Sequence, residues 1–369
     1  MHVKPFYNPK KICSAFLPDA VSNITPYGNG HINDTFLCGN PPKYIMQRIN
    51  TDIFRNPDEL MENIVSITSF LSEKIERAGG DKYRETLTVI PTMDGKNYYR
   101  NGEDCFRMYR FIDNAVSFDS VEHPTALRYE GEAFGKFQSD LRDFPAEKLH
   151  ETIPDFHNTP KRVEQLKEAI DKNPAGRLCE VQKEVDFALE YSRYADRITR
   201  ETAAGSIPLR VTHNDTKLNN ILFDKNTGKA LCVIDLDTVM PGSALFDFGD
   251  ALRFGASSGS EDEKDLDKIW FDLEKFEQFT RGFLSETADF LIEAEIALMP
   301  LSALIMTYEC GIRFLADYIN GDVYFKTHRE KQNLDRARTQ LKLVADIKSK
   351  LPEMSQIIKT IYEDKGALK

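Results

Sequence analysis

With 369 residues, 41% of them hydrophobic and 29% charged, the chain has the composition of a folded globular protein and the length for two domains, which excludes a disordered or fibrous molecule. The net charge of −11 argues against a nucleic-acid groove, which would want a basic face. Six scattered cysteines without a CxxC pair offer neither a zinc site nor a disulfide framework.

Strand-like segments open the chain. Ile24–Tyr27 and Asp34–Cys38 flank the Gly28-Asn29-Gly30 turn and predict a hairpin, with Lys43–Asn50 as a third strand. Asn56 can cap a helix that has Pro57 in its first turn, Asp58 and Glu59 near its positive end, and Gly79-Gly80 to stop it. Leu60, Ile64, Ile67, Leu71 and Ile75 form its apolar stripe. Further strands are expected around Thr86–Pro91 and Asn97–Arg100, and Cys105–Ile112 runs into a hinge at Asp113-Asn114.

Beyond the hinge the periodicity is helical: Thr125–Phe144, where Gly131 and Gly135 permit close packing, then Pro160–Asp171, Cys179–Glu201, Glu263–Leu284, Leu301–Ile319 and a last helix within Asp335–Tyr362. One β-like island, Leu209–Val239, interrupts them. The expected architecture is α+β: a small β-rich region over residues 1–112 and a larger, mostly helical region over 113–369. The longest apolar run, Ile296–Met306, is too short for a bilayer and contains Pro300, and the N-terminal MHVKPFYNPKK lacks the apolar core of a signal peptide. A cytoplasmic protein with no membrane partner is expected.

The chemistry is concentrated in the island. Val211–Leu222 contains His213, Asp215 and Asn220 in the pattern H-x-D-x-x-x-x-N, the catalytic-loop spacing of kinases. There the Asp positions the acceptor hydroxyl and takes its proton, and the Asn offers an uncharged oxygen to a metal that already faces phosphates. Lys217, two residues after Asp215, can reach the transferred phosphoryl group. Cys232-Val233-Ile234-Asp235-Leu236-Asp237 follows. Read as an extended strand, it would project both carboxylates from one face as hard-oxygen ligands for Mg²⁺. A lone H-x-D-x-x-x-x-N arises by chance; joined to the second acidic motif and a β-rich first region, it reads as a kinase. Asp247 is expected to accept backbone N–H bonds from the catalytic loop, a role compatible with capping the helix that follows.

The runs HNDTKLNNIL, IDLDTVMPGSALFDFGDALRFGAS and ECGIRFLADYINGDVYF together resemble the N-acetylhexosamine 1-kinases, within the superfamily of aminoglycoside phosphotransferases and choline kinases. The similarity runs from YGNGHIN (Tyr27 to Asn33) to RARTQLKLV (Arg336 to Val344), nearly the whole chain. The resemblance implies a protein-kinase-like, two-lobed fold and ATP-dependent, Mg²⁺-requiring transfer to the anomeric hydroxyl of GlcNAc or GalNAc. It implies Asp215 as catalytic base, with Asn220 and Asp235 on the metal. Ile24, His31, Phe254, Arg313 and Tyr324 match positions that line the sugar pocket. The nucleotide is expected between the lobes under Gly28, Asn29 and Gly30, with its adenine against Phe111 and Ile112.

One departure from the wider kinase pattern stands out. The third strand, Tyr44-Ile45-Met46-Gln47-Arg48, has no lysine, so Gln47 or Arg48 must do its work, and strand parity alone does not choose between them. Glu62 lies opposite the apolar stripe of its helix while Asn63 lies beside it, so the usual ATP-anchoring ion pair is not expected. Taken alone, His31 reads as a turn or packing histidine, and Glu309, Arg313 and Asp317 as a helix ion-pair ladder; the resemblance gives His31 and Arg313 to the sugar. Trp270 and Phe271 are expected in the core, and Glu261–Lys264 in a solvated loop or helix start. The rival readings are a kinase of the same fold acting on an aminoglycoside, choline or homoserine, and a nucleotide-binding pseudokinase. Several carboxylates collected for the amines would mark an aminoglycoside pocket, and retention of Asp215, Lys217, Asn220 and Asp235 argues against the pseudokinase. The sequence carries no signal for an oligomeric state.

Overall fold

The structure, a computed structural model, describes residues 7–28, 32–118 and 124–366. In chain order the first elements are α1 (Pro9–Cys13), β1 (Ile24–Pro26), β2 (Asp34–Cys38), β3 (Tyr44–Ile49), α2 (Pro57–Arg77), β4 (Val89–Ile90), β5 (Tyr99–Asn101), β6 (Asp104–Arg110) and β7 (Ala115–Val116). Helices follow at α3 (Pro124–Asp140), α4 (Thr159–Lys172), α5 (Gln182–Tyr191) and α6 (Arg197–Ala203). The island comprises β8 (Arg210–Thr212), β9 (Ile221–Asp224), β10 (Ala230–Val233) and β11 (Met240–Gly242), and the chain ends with α7 (Ala244–Gly255), α8 (Leu273–Thr287), α9 (Glu293–Asn320) and α10 (Gln332–Gly366). The chain divides into two compact units: Met1–Ser117 with Asp143–Pro154 and Ile221–Met240, and the remainder.

In the first unit, an antiparallel sheet runs β1-β2-β3-β6-β4, with β5 also paired to β6. Paired residues share a face, so the register sorts the side chains. Cys38, Met46, Phe106 and Met108 project to one side and are sealed by Ile12, Cys13 and Phe16 from α1 and the turn after it. Helix α1 escapes the sequence reading because it is five residues long and owes its start to Asn8, whose side chain accepts from the Lys10 N–H at 3.0 Å. Helix α2 starts as expected, with Asn56 as cap and Pro57 in the first turn, and buries Leu60, Ile64, Ile67, Leu71 and Ile75. A second sheet, β10-β9-β7, belongs to the same unit.

The second unit is built round α9 and α7. Helix α9 is long and apolar enough to cross a membrane, but 83% of that stretch is buried inside the protein, so it serves as a core helix. Pro300 does not break it, and it begins eight residues before the expected Leu301. Helices α3 and α8 meet through small residues: a Cβ on Gly131 would lie 2.3 Å from the Phe279 carbonyl oxygen, and one on Gly282 would lie 2.0 Å from that of Arg128. Two expected helices are shorter than their apolar pattern. Cys179–Glu201 is interrupted by a 3₁₀ turn at Ser192–Tyr194 between α5 and α6. Glu263–Leu284 becomes helical only at Leu273, where Asp272 caps it. The preceding loop is fixed by ion pairs of Arg253 with Glu261 and Arg329 with Asp262. In that loop Phe271 is buried as expected, whereas Trp270 is 48% exposed.

Candidate active site

The catalytic-loop motif lies in the second unit, directly after β8. Asn214 takes the left-handed conformation (φ 64), which Asn tolerates because its short polar side chain bonds locally. The buried Asp247 carboxylate accepts from the backbone N–H of His213 at 2.9 Å and of Asn214 at 2.8 Å, and from Gln138 at 2.5 Å. This is the expected loop-holding role; the helix cap is Ser243. Burial pushes the Asp247 carboxyl above its ordinary range despite those bonds. Asp250, one turn further along α7, accepts from the Thr216 N–H at 3.2 Å. His213 is buried between Phe134 and Phe137, and its Nδ1 accepts from the Asp215 N–H at 3.3 Å.

These bonds leave Asp215 with both oxygens engaged. Lys217 Nζ is 2.7 Å from Oδ1, and Asn220 Nδ2 donates to Oδ2 at 3.2 Å and to the Asp215 carbonyl at 2.8 Å. Burial alone would raise the Asp215 carboxyl, but the Lys217 ammonium outweighs it and holds the group below the usual carboxylate range. With its amide nitrogen turned onto Asp215, Asn220 presents its oxygen elsewhere.

In the first unit, the I-D-L-D segment is not the extended strand read from its sequence. Strand β10 ends at Val233, Asp235 turns left-handed (φ 60, ψ 57), and Leu236–Thr238 forms a 3₁₀ turn. The two carboxylates therefore part company. Asp235 is exposed, whereas Asp237 is buried with both oxygens occupied: Asn33 donates to Oδ2 at 2.7 Å and Arg107 forms an ion pair with Oδ1. Asp237 is thus engaged within the interior of the first unit. Asn63 accepts from the His150 N–H and donates to the Val239 carbonyl at 3.1 Å, tying α2 to the end of this turn, while Glu62 faces outward onto His150.

The register also settles the strand-parity question. Gln47 pairs with Arg107 across β3 and β6, and its amide oxygen accepts from Arg107 Nε at 3.0 Å and Nη2 at 2.8 Å. Arg48 projects to the opposite face, where Asp104 (2.6 Å) and Asp34 (3.4 Å) neutralise it. The cation on the Asp237 side of the sheet is Arg107, which no motif in the sequence singles out. Ile24, expected at the sugar, is partly buried against the apolar cluster of the first unit. Gly28 has the positive φ (74) of a turn glycine, while Asn29, Gly30 and His31 lie outside the described residues. The Phe111 N–H bonds to the Lys43 carbonyl at 2.9 Å, and the Ile112 side chain is buried.

Arg313 and Tyr324 come together in the second unit, in an open cleft of about 420 Å³ between α4 and the C-terminal part of α9. The helix ladder does not form: among the described residues no ion pair joins Arg313 to Glu309 or Asp317. Asp317 instead accepts from the N–H groups of Val323, Tyr324 and Phe325 (3.0, 2.8 and 2.9 Å) and from Asn333, shaping the loop that exposes Tyr324. Glu309 is buried on His157 and Thr159. Arg313 lies over the Phe325 ring at 5.4 Å. Phe254, on α7, is 41% exposed with the Arg253 guanidinium over its ring, and it does not line this cleft.

The Asn220 amide oxygen, in the second unit, and the Asp235 carboxylate, in the first, are hard oxygens of the kind Mg²⁺ takes. Among the described residues no group of three His, Cys, Asp or Glu could enclose an ion.

A β-sheet unit and a helical unit that carries an H-x-D-x-x-x-x-N loop clamped by a buried aspartate define a kinase-like phosphotransferase. Residues 23–279 match the phosphotransferase enzyme family, and the chain belongs to it. Among solved structures it is similar to an aminoglycoside phosphotransferase from Alicyclobacillus acidocaldarius, at 12% identity over 97% of this chain and 98% of that one, with a TM-score of 0.63. It is also similar to a microcompartment-associated aminopropanol kinase (15% identity, 90% and 93% covered, TM-score 0.55). A third similar structure is an amicoumacin kinase in complex with AMP-PNP, Ca²⁺ and Ami (11% identity, 86% and 87% covered, TM-score 0.56). At these identities the likeness is one of fold.

Proposed function

We propose that the chain is an ATP- and Mg²⁺-dependent kinase that phosphorylates GlcNAc and GalNAc at the anomeric hydroxyl, giving the α-1-phosphate. The observation that carries the choice of acceptor is the cleft at Arg313. A polyamine such as an aminoglycoside would need carboxylates there to meet its charge. The carboxylates that line the cleft are already spent, Asp317 on backbone N–H groups and Asn333, and Glu168 on Lys172. The cleft offers a ligand the Arg313 guanidinium and the exposed Tyr324, groups suited to the hydroxyl and acetamide oxygens of a neutral sugar.

Asp215 supports the same reading. Held below the usual carboxylate range, it is a weak base, adequate for an anomeric hydroxyl, which is more acidic than the other hydroxyls of a sugar. Its role is to orient that oxygen and receive its proton, while Lys217 transfers from Asp215 to the phosphoryl group as charge develops. Mg²⁺, when bound, neutralises phosphate charge; we assign Asn220 and Asp235 to it. The nucleotide is assigned to the neighbourhood of Gly28, Phe111 and Ile112.

The experiment is a screen of free sugars, kanamycin, choline and homoserine for ATP-dependent consumption. Turnover of the two acetamido sugars well above glucose and galactose is expected. Preference for an amine would overturn the assignment.

A further inference from the structure

Behind the catalytic loop, in the second unit, stands a buried histidine that phosphoryl transfer does not itself require. His157 Nδ1 lies 2.9 Å from Glu309 Oε1, and Nε2 lies 3.1 Å from the backbone carbonyl oxygen of Asn214. Both partners only accept. A carbonyl has no hydrogen to give, and Glu309 is an ionised carboxylate. Burial would raise it, but His157 outweighs that, helped by Arg313 and by the Thr159 hydroxyl, which donates to Oε2 at 2.6 Å. A neutral imidazole carries one N–H, so it would leave one of these buried acceptors facing a lone pair, a costly arrangement. The imidazolium satisfies both.

We propose that His157 is a positioning residue for phosphoryl transfer: as an imidazolium braced by Glu309, it holds the Asn214 carbonyl and so fixes the left-handed turn that delivers Asp215. The proposal rests on Asp215 being the group at the acceptor hydroxyl. Asn214 is gripped on both sides, its N–H by Asp247 at 2.8 Å and its carbonyl by His157. The neighbouring rings are Phe156 and Phe246, at 4.7 and 5.2 Å. The charged groups acting on the imidazole are the carboxylates of Glu309 on α9 and Asp250 on α7. Burial disfavours the charged ring, but Glu309 outweighs it and the pKa is raised. The clamp is therefore complete below the ordinary histidine value and is lost as pH rises through the raised one. Glu309 lies one helical turn before Arg313, so the helix that presents the acceptor cleft also carries the brace.

The test has two readouts on the full-length protein. Nitrogen-15 NMR of histidine-labelled enzyme, assigned by difference against His157→Gln, should show both ring nitrogens of His157 protonated at neutral pH. Kinetically, His157→Gln keeps a donor for the carbonyl but no charge for Glu309. Its kcat should fall by about 10- to 100-fold, the scale of a small misplacement of a catalytic group, with KM for ATP unchanged. The wild type is expected to lose kcat as pH rises through the His157 value, and that fall should disappear in the variant. The NMR arm needs no acceptor, so it stands or falls separately from the sugar assignment. An unprotonated ring nitrogen at neutral pH overturns the proposal, as does a folded His157→Gln with wild-type kcat and pH profile. Should that variant not fold, a second variant, Glu309→Gln, is expected to lose the protonated ring at neutral pH, and retention of the proton there overturns the brace.

Discussion

Breaking the Arg107–Asp237 pair should be expensive, and removing both partners together should not. The two side chains are 1% and 4% exposed, and the guanidinium also gives two bonds to the Gln47 amide oxygen. Arg107→Met leaves the Asp237 carboxylate buried with Asn33 as its remaining side-chain donor. Loss of one partner of a buried pair costs about 3–5 kcal/mol. In Arg107→Met/Asp237→Leu no charge is stranded, and apolar replacement of a whole pair is typically neutral or stabilising. The double variant should therefore recover most of the loss, a coupling on the order of 3 kcal/mol. Hydrogen exchange at the β3 and β6 amides reads this locally, which suits a chain of two units better than a single unfolding midpoint. Activity should separate from stability, because the turn that follows Asp235 loses its anchor in both variants and turnover stays low in both. A double variant no more protected than the single one would refute the reasoning.

Asp215→Asn should lower turnover by on the order of 10²–10⁴-fold with ATP binding largely intact, checked by kcat beside nucleotide titration. Asp235→Ala should abolish Mg²⁺-dependent nucleotide binding, whereas Asp237→Ala should chiefly destabilise the first unit; Mg²⁺ titration of both variants reverses the assignment if Asp237→Ala is the more damaging. Asp215 is held low by Lys217, so it keeps its charge, and the stability that goes with it, until pH falls through the depressed value. Lys217→Ala should therefore shift the acid limb of the kcat profile to higher pH while lowering kcat. Gly282→Ala places a methyl group 2.0 Å from the Arg128 carbonyl and should destabilise the α3–α8 contact by about 1–3 kcal/mol, read as a lower Tm.

What could be read from the sequence was local or motif-borne. The Asn56 cap, the strands of the first sheet, Gly131 and Gly135, and the loop-holding role of Asp247 each follow from a short-range pattern. What could not be read depends on pairings between residues distant in the chain. Nothing near Arg107 marks it as the cation opposite Asp237; it emerges only once β3 and β6 are in register. His157 is an unremarked loop histidine until Glu309 and Asn214 meet it. Asp237 misled because alternation on a strand predicts two carboxylates on one face, and a left-handed residue at Asp235 ended the strand before alternation could apply. Trp270 was misplaced for a related reason: which face of a half-buried element is covered is set by its packing partners and not by its own composition.

The central claim, transfer from ATP to the anomeric oxygen of an N-acetylhexosamine, is tested most directly by phosphorus NMR of the product formed from ATP, Mg²⁺ and GlcNAc or GalNAc. The account predicts a single sugar phosphate with the phosphorus coupled to the anomeric proton in the α configuration. Phosphate on O6, or a product that forms only when kanamycin or choline replaces the sugar, would contradict it.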